Sequence, residues 1–322
     1  MRVIQVTRFG GPEVLVASEA PDPACGPGQV VVEVSVADTL FLETQIRNGA
    51  AEWFPVEPPY VPGGGVGGEV ASVGEGVDPS WVGRRVVARI DGGGYAERAA
   101  VSAENLITVP DGLGLTEATA LLHDGPTALG LFENAGIQPK DRVLVTAAGG
   151  GMGILLVQLA KAAGAQVVGA ARGERKLNLI RETGADAVFD YSEANWSQRV
   201  REATDGAGPN VVFDGAGGGI GQAAFEITAP GGRFSAHGAP GGAFTGIDPQ
   251  EAERRGVSVR GIEQVQFQPA DAKRLTEQAL SEAVEGRIRP VIGQTFPLEK
   301  AADAHAAIEA RDVMGKTLLE VR

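Results

Sequence analysis

Cysteine is almost absent from this chain of 322 residues, because Cys25 is the only one. A single thiol excludes a disulfide within the chain and a structural zinc site built from four cysteines. Three histidines, His123, His237 and His305, could add nitrogen ligands, but their spacing matches no catalytic zinc site. We therefore expect no metal centre. The scarcity of cysteine also suits a reducing compartment and predicts a cytoplasmic location.

Long apolar runs and an excess of positive charge are missing as well. No stretch of about 18 consecutive apolar residues occurs, so no transmembrane helix is expected, and the first residues lack the pattern of a signal peptide. The formal net charge is −13, and no run of lysine and arginine offsets it. This balance argues against a nucleic-acid or anionic-membrane partner and predicts a soluble protein.

Glycine, in contrast, is abundant, with 47 residues in 322, well above the usual share of ~7%. Such an excess indicates a backbone that turns tightly or approaches a ligand closely at many points. The length predicts about two domains. Valine recurs at every second position from 30 to 36, with Glu33 and Ser35 between, which predicts a half-buried strand. Gly/Pro-rich turns at 55–68, 74–77 and 91–95 then favour a small β-barrel-like domain.

The pattern changes near residue 117, where a helix is predicted over 117–135. Strands are then predicted at 142–147, 166–171, 187–191, 210–217 and 231–238, with helices between them. This alternation predicts an α/β domain with a parallel, doubly wound sheet. Beyond about residue 266 we expect, in order, a helix at 270–285, a strand at 289–296, a helix at 299–311 and a last strand at 316–321 that returns to the first domain.

The segment TAAGGGMG (146–153) joins a predicted strand to a predicted helix, where a dinucleotide's pyrophosphate rests on helix N-terminal amides. In the G-x-G-x-x-G register, Ala148 takes the first slot. Gly150 then allows the backbone to approach the phosphates, and Gly153 allows helix and strand to pack closely, with Gly151 and Met152 between them. A glycine-rich turn without a ligand is the alternative.

The end of the next predicted strand indicates which dinucleotide is bound. NAD sites place an acidic residue about 20 residues beyond the loop, where it binds the ribose hydroxyls. Here Arg172 stands nineteen residues after Gly153, and Arg175 and Lys176 follow. Cations suit a 2′-phosphate, so these residues favour NADPH. The alternative is an exposed basic turn that contacts nothing.

Further motifs extend over the whole chain: GGPEVL (10–15), P-Y-x-P-G (59–63), DGPTALGLFENAGIQPKDRVLVTAAGGGMG (124–153), VQLAKAAGAQV (157–167), VVFDGAGG (211–218) and FPLEKAADAHAAIEARDVMGKTLL (296–319). Together they resemble the medium-chain dehydrogenase/reductase superfamily, in its zinc-independent quinone oxidoreductase branch related to zeta-crystallin. The resemblance implies a GroES-like β-barrel catalytic domain, which binds the substrate and is formed by residues 1–122 and 267–322. A Rossmann domain at 123–266 would bind NADPH, and a homodimer would pair the edge at 257–265.

The same resemblance assigns residues to the cofactor and the substrate. The expected cofactor contacts are Thr127, Gly150, Gly151, Met152, Gly153, Arg172, Lys176, Tyr191, Gly215, His237, Gly238, Phe267, Arg311 and Lys316. The expected substrate pocket contains Leu40, Gln45, Trp53, Phe54 and Tyr60, with ordinary packing as the alternative for the three aromatic residues.

Near this pocket the sequence departs from the family pattern. Many relatives carry G-V-N-x-x-[DE]-x-Y-x-R, and this chain has DTLFLETQIR at 38–47. Leu40 and Gln45 therefore replace an asparagine and a tyrosine. Gly65 replaces the acidic residue that commonly follows the P-G pair.

His123 is the candidate catalytic residue, since imidazole titrates near neutral pH and can donate a proton. Its alternative role is a hydrogen-bonded residue at the start of a helix. His305, Asp38 and Glu43 are expected to be structural. We predict NADPH-dependent reduction of quinones or related conjugated carbonyl compounds by direct hydride transfer without a metal. The alternatives are an enone or enoyl-thioester C=C reductase, with His123 or Tyr60 as proton donor, and a non-enzymatic NADPH-binding protein.

Overall fold

The computed structural model describes residues 1–50 and 54–322. Over these residues the strands are β1 (Arg2–Val6), β2 (Leu15–Glu19), β3 (Gln29–Asp38), β4 (Gly65–Val73), β5 (Arg85–Arg89), β6 (Arg98–Ser102), β7 (Leu106–Thr108), β8 (Arg142–Thr146), β9 (Gln166–Ala171), β10 (Ala187–Asp190), β11 (Val211–Asp214), β12 (Arg233–Ala236), β13 (Ser258–Arg260), β14 (Ile292–Pro297) and β15 (Lys316–Glu320). The helices are α1 (Phe41–Asn48), α2 (Leu115–Ala135), α3 (Gly151–Ala162), α4 (Glu174–Glu182), α5 (Trp196–Ala203), α6 (Gly218–Ile227), α7 (Pro249–Arg255), α8 (Pro269–Val284) and α9 (Ala301–Ala310).

These residues form two compact units. The first comprises Met1–His123, Thr276–Val284 and Pro290–Arg322, and the second comprises Asp124–Leu275 and Glu285–Arg289. The first unit therefore takes in β1–β7 together with β14 and β15, so the predicted return of the last strand is observed. No helix within residues 1–50 and 54–322 is both long enough and apolar enough to cross a membrane.

The first unit is organised around the long strand β3. It pairs antiparallel with β4, β6 and β15, and the sheet continues from β4 to β5 and β7 and from β15 to β14. Val30, Val32, Val34 and Val36 are buried, while Glu33 and Ser35 between them are partly exposed. The strand predicted from the valine alternation is thus confirmed, and its last residue, Asp38, is also fully buried.

The second unit contains the predicted parallel, doubly wound sheet. Its strand order is β10-β9-β8-β11-β12-β13, and every neighbouring pair is parallel. The chain first builds outward from β8 on one side and then returns to start β11 on the other. This reversal creates a switch point at the carboxyl ends of β8 and β11, the place where α/β sheets bind ligands. The strand β13 lies at the edge, and its pairing with a second copy stays a prediction.

The predicted strand at 289–296 is wrong at its beginning, because β14 starts only at Ile292. Arg289 is held by α3 through two hydrogen bonds. Its N–H donates to the side chain of Gln158 at 2.7 Å, and its carbonyl accepts from the same amide at 3.0 Å. Pro290 follows and has no N–H to give to a sheet. The helix predicted at 299–311 consists of a 3₁₀ turn, Leu298–Lys300, followed by α9.

Candidate functional site

Two glycines at the junction of β8 and α3 have different surroundings: Gly150 ends the loop, and Gly153 lies in the first turn of α3. A Cβ on Gly153 would lie 2.6 Å from the carbonyl oxygen of Ala147 and 2.8 Å from Cα of Ala148, so no side chain fits there. A Cβ on Gly150 would meet only the Ala147 oxygen, at 3.4 Å. Gly150 is the N-cap of α3, and the amides of the first helical turn have no acceptor within the helix. The loop therefore offers open space in front of N–H donors, as an anion requires.

Three of the residues predicted to recognise the 2′-phosphate are brought together at the end of β9. Arg172 directly follows β9 and is exposed. The N–H of Tyr191 donates to the carbonyl of Ala171 at 3.2 Å, which places Tyr191 beside that strand end. Lys176 lies in the first turn of α4.

Lys176 also connects this strand end to the glycine loop. Its Cβ, Cγ and Cδ atoms lie 3.0–3.3 Å from the point where a Cβ on Gly149 would stand, so the side-chain stem covers the loop backbone. An acidic residue, Asp190, is nearby and accepts a hydrogen bond from the N–H of Gly173 at 2.8 Å. Burial alone would raise the pKa of Asp190, but its hydrogen bonds and the positive charge of Arg172 lower it. The negative charge of Asp190 therefore partly balances the positive charge of Arg172.

At the ends of β11 and β12 the backbone segments approach closely. A Cβ on Gly238 would lie 2.1 Å from the carbonyl oxygen of Gly215, so only glycine fits. His237 lies next to this contact, with its Nδ1 2.9 Å from the hydroxyl of Ser235. Burial lowers the pKa of His237 to about 4, although the charge of Asp214 opposes this change. The imidazole is therefore neutral at physiological pH.

Two further predicted contacts lie on or against α2. Thr127 is part of this helix. The ring of Phe267 packs on the helix at Gly130, where an added Cβ would fall 2.4 Å from the ring atom Cζ. Gly130 therefore makes room for the ring.

In the first unit, Asp38 is the centre of a buried ionic cluster. Its Oδ1 lies 2.8 Å from Nζ of Lys316, and its Oδ2 lies 2.7 Å from Nδ1 of His123. Burial would raise the pKa of Asp38, but the charges and hydrogen bonds of Lys316 and His123 outweigh it and lower the pKa. We name this set, Asp38, His123 and Lys316, the Asp38 cluster. Sequence patterns did not predict it, because the three residues are far apart along the chain.

A second carboxyl group nearby has neutral partners. Glu43 accepts hydrogen bonds from the N–H groups of Gly64 and Leu40, at 2.9 and 3.0 Å, and from the Tyr95 hydroxyl at 2.7 Å. The Tyr95 oxygen lies 2.9 Å from Nε2 of His305. Burial, reinforced slightly by the charge of Asp38, raises the pKa of Glu43 to about 7.

When Glu43 is ionised it can only accept hydrogen bonds, so the Tyr95 hydroxyl donates to it and accepts from Nε2 of His305. Burial and the charge of Arg47 lower the pKa of His305 to about 3, so this ring is neutral at physiological pH.

The predicted substrate residues have different surroundings. Leu40 is the N-cap of α1, and Gln45 lies on the same helix with its amide 3.3 Å from the hydroxyl of Thr44. Phe54 is exposed. Tyr60 packs against the core of the first unit, and burial raises its pKa to about 12. Trp53 lies outside the described residues.

The two basic residues of the tail also differ. Arg311 is the C-cap of α9, in the left-handed conformation with φ 60°. Lys316 begins β15 and belongs to the Asp38 cluster. Their predicted contacts with a cofactor stay predictions.

Comparison with known proteins identifies the family. The alcohol dehydrogenase GroES-like domain matches residues 26–111, and the zinc-binding dehydrogenase family matches residues 151–281. The quinone oxidoreductase of Rattus norvegicus is 32% identical over 99% of this chain and 97% of its own length. The chain belongs to the quinone oxidoreductase branch of the medium-chain dehydrogenase/reductase superfamily. The predicted fold, GroES-like plus Rossmann, is thereby confirmed, and the protein is an oxidoreductase.

Two other relatives add detail. A 2-haloacrylate reductase of a Burkholderia species is 33% identical over 98% of this chain and 97% of its own length. The crystal structure of Escherichia coli quinone oxidoreductase complexed with NADPH is 27% identical, covers both chains completely and has a TM-score of 0.91.

One of the matched families is named for zinc. The described side chains of the present protein, however, do not offer a set of ligands that suits zinc. Within the described part of the chain, no three His, Cys, Asp or Glu side chains come together in a group that could hold a metal ion. Around Asp38, the two oxygens face an ammonium and an imidazole.

The raised pKa of Glu43 predicts how stability depends on pH. Between pH 4.5 and about 7 the folded protein binds more protons than the unfolded chain, so this group lowers stability as pH rises. Glu43→Gln removes the titration. From pH 5 to pH 8, the free energy of unfolding of the wild type should therefore fall by roughly 2–3 kcal/mol relative to the variant.

Urea unfolding at the two pH values measures this difference. Glu75→Gln is the matched control, since the Glu75 side chain is exposed and its loss should leave the pH dependence unchanged. A difference between wild type and Glu43→Gln that is the same at pH 5 and pH 8 would contradict the assignment.

Proposed function

We propose that this protein reduces quinones or related conjugated carbonyl compounds with a hydride from NADPH, and that it needs no metal ion. The observation that carries the proposal is the arrangement around the β8–α3 loop. Open space at Gly150 lies before the first amides of α3, which have no acceptor within the helix, and the stem of Lys176 covers the same loop. Arg172 and Tyr191 stand at the adjacent strand end. The Escherichia coli relative, solved as an NADPH complex, supports this cofactor.

The residues present fit NADPH in chemical terms. Helix amides bind the pyrophosphate, and a lysine with an arginine binds a 2′-phosphate through charge-assisted hydrogen bonds. When bound, the dihydronicotinamide supplies the hydride. The neutral side chain of His237 and the close backbone contact between Gly215 and Gly238 lie after β12 and β11, beside the switch point of the sheet.

Quinone reduction requires little acid catalysis, because a hydroquinone monoanion is stable enough to take its proton from water. Such a reaction depends chiefly on proximity and orientation. The quinone oxidoreductases of rat and Escherichia coli support the substrate class.

A second candidate function, reduction of a C=C bond conjugated to a carbonyl, is favoured by one observation. His123 is hydrogen-bonded to a buried carboxylate, which suits a proton donor. The related 2-haloacrylate reductase supports this substrate class. Tyr60 is the weaker candidate for the donor, because its pKa of about 12 makes it a poor acid at neutral pH.

A panel of acceptors separates these functions. NADPH oxidation is measured with a naphthoquinone, a cyclic enone and an enoyl thioester, each before and after treatment of the protein with a chelator. We expect turnover of at least one acceptor and no loss of rate after chelation. Binding of NADPH without turnover of any acceptor would indicate a non-enzymatic protein, and a rate restored only by zinc would contradict the metal-free mechanism.

Gly150, at the end of the β8–α3 loop, and Gly153, in the first turn of α3, should respond differently to substitution. Gly150→Val places a side chain in the open space before the amides and should weaken NADPH binding at least about tenfold while the protein stays folded. Gly153→Ala forces a Cβ against backbone atoms and should destabilise the fold by about 1–3 kcal/mol. Titration of NADPH fluorescence and thermal unfolding measure the two effects. Unchanged NADPH affinity in Gly150→Val would show that the cofactor binds elsewhere.

Arg172 should determine the choice between NADPH and NADH. Two charge-assisted hydrogen bonds to a 2′-phosphate, at the low end of about 1.5–3 kcal/mol each, give roughly a 10²-fold preference in kcat/KM. Arg172→Asp should remove most of it, because it replaces attraction with repulsion. Arg175→Asp is the matched control with the same change of charge at the second residue of α4, and it should have the smaller effect. Equal kcat/KM for both cofactors in the unmodified protein would contradict this account.

A further inference from the structure

We propose that the Nε2–H group of His237 donates a hydrogen bond to an oxygen of the nicotinamide riboside half of NADPH. Ser235 and Gln264 act through His237 as positioning residues, because they keep the proton on Nε2. All three residues belong to the second unit, which also carries the glycine loop and the end of β9. The inference rests on the proposed function, since it requires the cofactor to be bound at this loop.

The side-chain amide of Gln264 has a fixed orientation. Its nitrogen lies 2.7 Å from the carbonyl oxygen of Gly261, 2.9 Å from Oγ of Ser235 and 3.2 Å from the carbonyl oxygen of Arg260. Carbonyl oxygens only accept hydrogen bonds, so the amide group that faces them is the NH₂ and not the oxygen. The two shortest contacts take its two N–H groups, and Oγ of Ser235 is therefore an acceptor.

The hydroxyl of Ser235 then has one acceptor for its own proton. Ser235 is buried, and its Oγ lies 2.9 Å from Nδ1 of His237. Within residues 1–50 and 54–322, this hydroxyl has no hydrogen-bond partner besides His237 and Gln264. A buried O–H group without an acceptor is destabilising. The hydroxyl therefore donates to Nδ1, and Nδ1 carries no proton.

The single proton of the His237 ring is consequently on Nε2. Burial lowers the pKa of His237 to about 4, although the charge of Asp214 and the backbone carbonyl of Ser235 oppose this change. The ring is thus neutral at physiological pH and has one N–H group. The tautomer is determined by two successive hydrogen bonds, from Gln264 to Ser235 and from Ser235 to His237.

This N–H group is a donor without an acceptor in the described part of the chain. His237 is 6% exposed, and the bond with Ser235 is the only hydrogen bond of its ring to a described residue. Nε2 is nevertheless not one of the described side-chain atoms that are both shielded from solvent and without a partner. The atom therefore keeps a small solvent-accessible surface, where a ligand can reach it.

Nε2 of His237 lies close to the switch point of the sheet. It is 3.4 Å from the point where a Cβ on Gly215 would stand, and Gly215 directly follows β11. The carbonyl oxygen of Thr146, the last residue of β8, is 3.2 Å from the same point. The donor is therefore near the carboxyl ends of the two strands between which the strand order reverses.

The position of the donor corresponds to one half of the cofactor. A dinucleotide binds across the switch point with its two halves on opposite sides. The residues proposed for the 2′-phosphate, Arg172 and Tyr191, stand at the end of β9, and the proposed pyrophosphate site is at the start of α3. The nicotinamide riboside half then extends over the ends of β11 and β12. Its ribose hydroxyls and its carboxamide both contain oxygens that accept a hydrogen bond.

The affinities of His237 variants for NADPH test the proposed contact. His237→Phe removes the donor but keeps an aromatic ring beside Phe213, and it should weaken NADPH binding about three- to tenfold. His237→Gln keeps an N–H donor near the position of Nε2 and should bind NADPH within about twofold of the wild type. The control ligand is 2′,5′-ADP, which lacks the nicotinamide riboside half and should bind equally well to all three proteins.

A third ligand, 2′-phospho-ADP-ribose, locates the acceptor, because it has the second ribose but no carboxamide. Weaker binding of this ligand to His237→Phe assigns the contact to a ribose hydroxyl, and a loss with NADPH alone assigns it to the carboxamide; either result supports the inference. Unchanged NADPH affinity in His237→Phe, or an equal loss with 2′,5′-ADP, would overturn it. If 2′,5′-ADP does not bind to the wild type, the proposed cofactor site fails, and this inference fails with it.

The ¹⁵N shifts of the His237 ring test the two positioning residues without turnover. In the wild type, these shifts are assigned by comparison with His237→Phe and should report a neutral ring with its proton on Nε2. Ser235→Ala removes the donor to Nδ1. Gln264→Met frees the carbonyl oxygens of Gly261 and Arg260 to accept the Ser235 proton. Each of these two variants should therefore show a mixture of both tautomers.

Gln266→Met is the matched control, because Gln266 is exposed, lies two residues from Gln264 and should leave the tautomer unchanged. Thermal unfolding checks that each variant is folded, and Gln264→Met decides the question if Ser235→Ala does not fold. A proton on Nδ1 in the wild type, or a tautomer that changes in neither Ser235→Ala nor Gln264→Met, would overturn the inference.

Discussion

A carboxylate in a protein interior stays ionised only if cations or hydrogen-bond donors compensate for the water it has lost. Asp38 meets this constraint through Lys316 and His123, at 2.8 and 2.7 Å. The consequence is structural as well as chemical, since the end of β3 is tied to the start of β15 and to α2. Gly65 must remain without a side chain, because a Cβ there would fall 2.8 Å from Cε1 of His123 and 3.2 Å from Cβ of Asp38. The candidate substrate side of the protein is therefore arranged around one buried negative charge.

The contrast with Glu43 shows how two acids in one region acquire different roles. Asp38 faces cations, and its pKa is lowered. Glu43 is hydrogen-bonded by N–H groups and a hydroxyl, and burial raises its pKa to about 7. Environments that separate the pKa values of neighbouring groups are typical of sites that handle protons. Tyr95 and His305 extend the hydrogen bonds of Glu43 into the core of the first unit.

Sequence patterns predicted the second unit better than the first. The strand 166–171 and the loop before α3 follow from local periodicity and from glycine spacing, and both are present. The start of β14 was missed because Arg289 bonds to Gln158, a contact that no local pattern contains.

The Asp38 cluster was missed for a similar physical reason. Lys316 resembled a basic tail position near the cofactor, and nothing in its surrounding residues indicated a partner on β3. The replacement of a family acid by Gly65 was visible in the sequence, and in the structure His123 and Asp38 pack against this glycine. The sequence suggested His123 as a candidate donor, whereas its hydrogen bond to Asp38 was not predicted.

The central claim is direct hydride transfer to a conjugated carbonyl compound, and isotope tracing tests it most directly. The protein is given NADPH carrying deuterium on the transferable C4 position, together with a cyclic enone in ordinary water, and the product is analysed by NMR. Deuterium at the β-carbon and hydrogen from water at the α-carbon is the result the account predicts. A reduced product without deuterium at the β-carbon, or no reduced product with any conjugated acceptor, would contradict it.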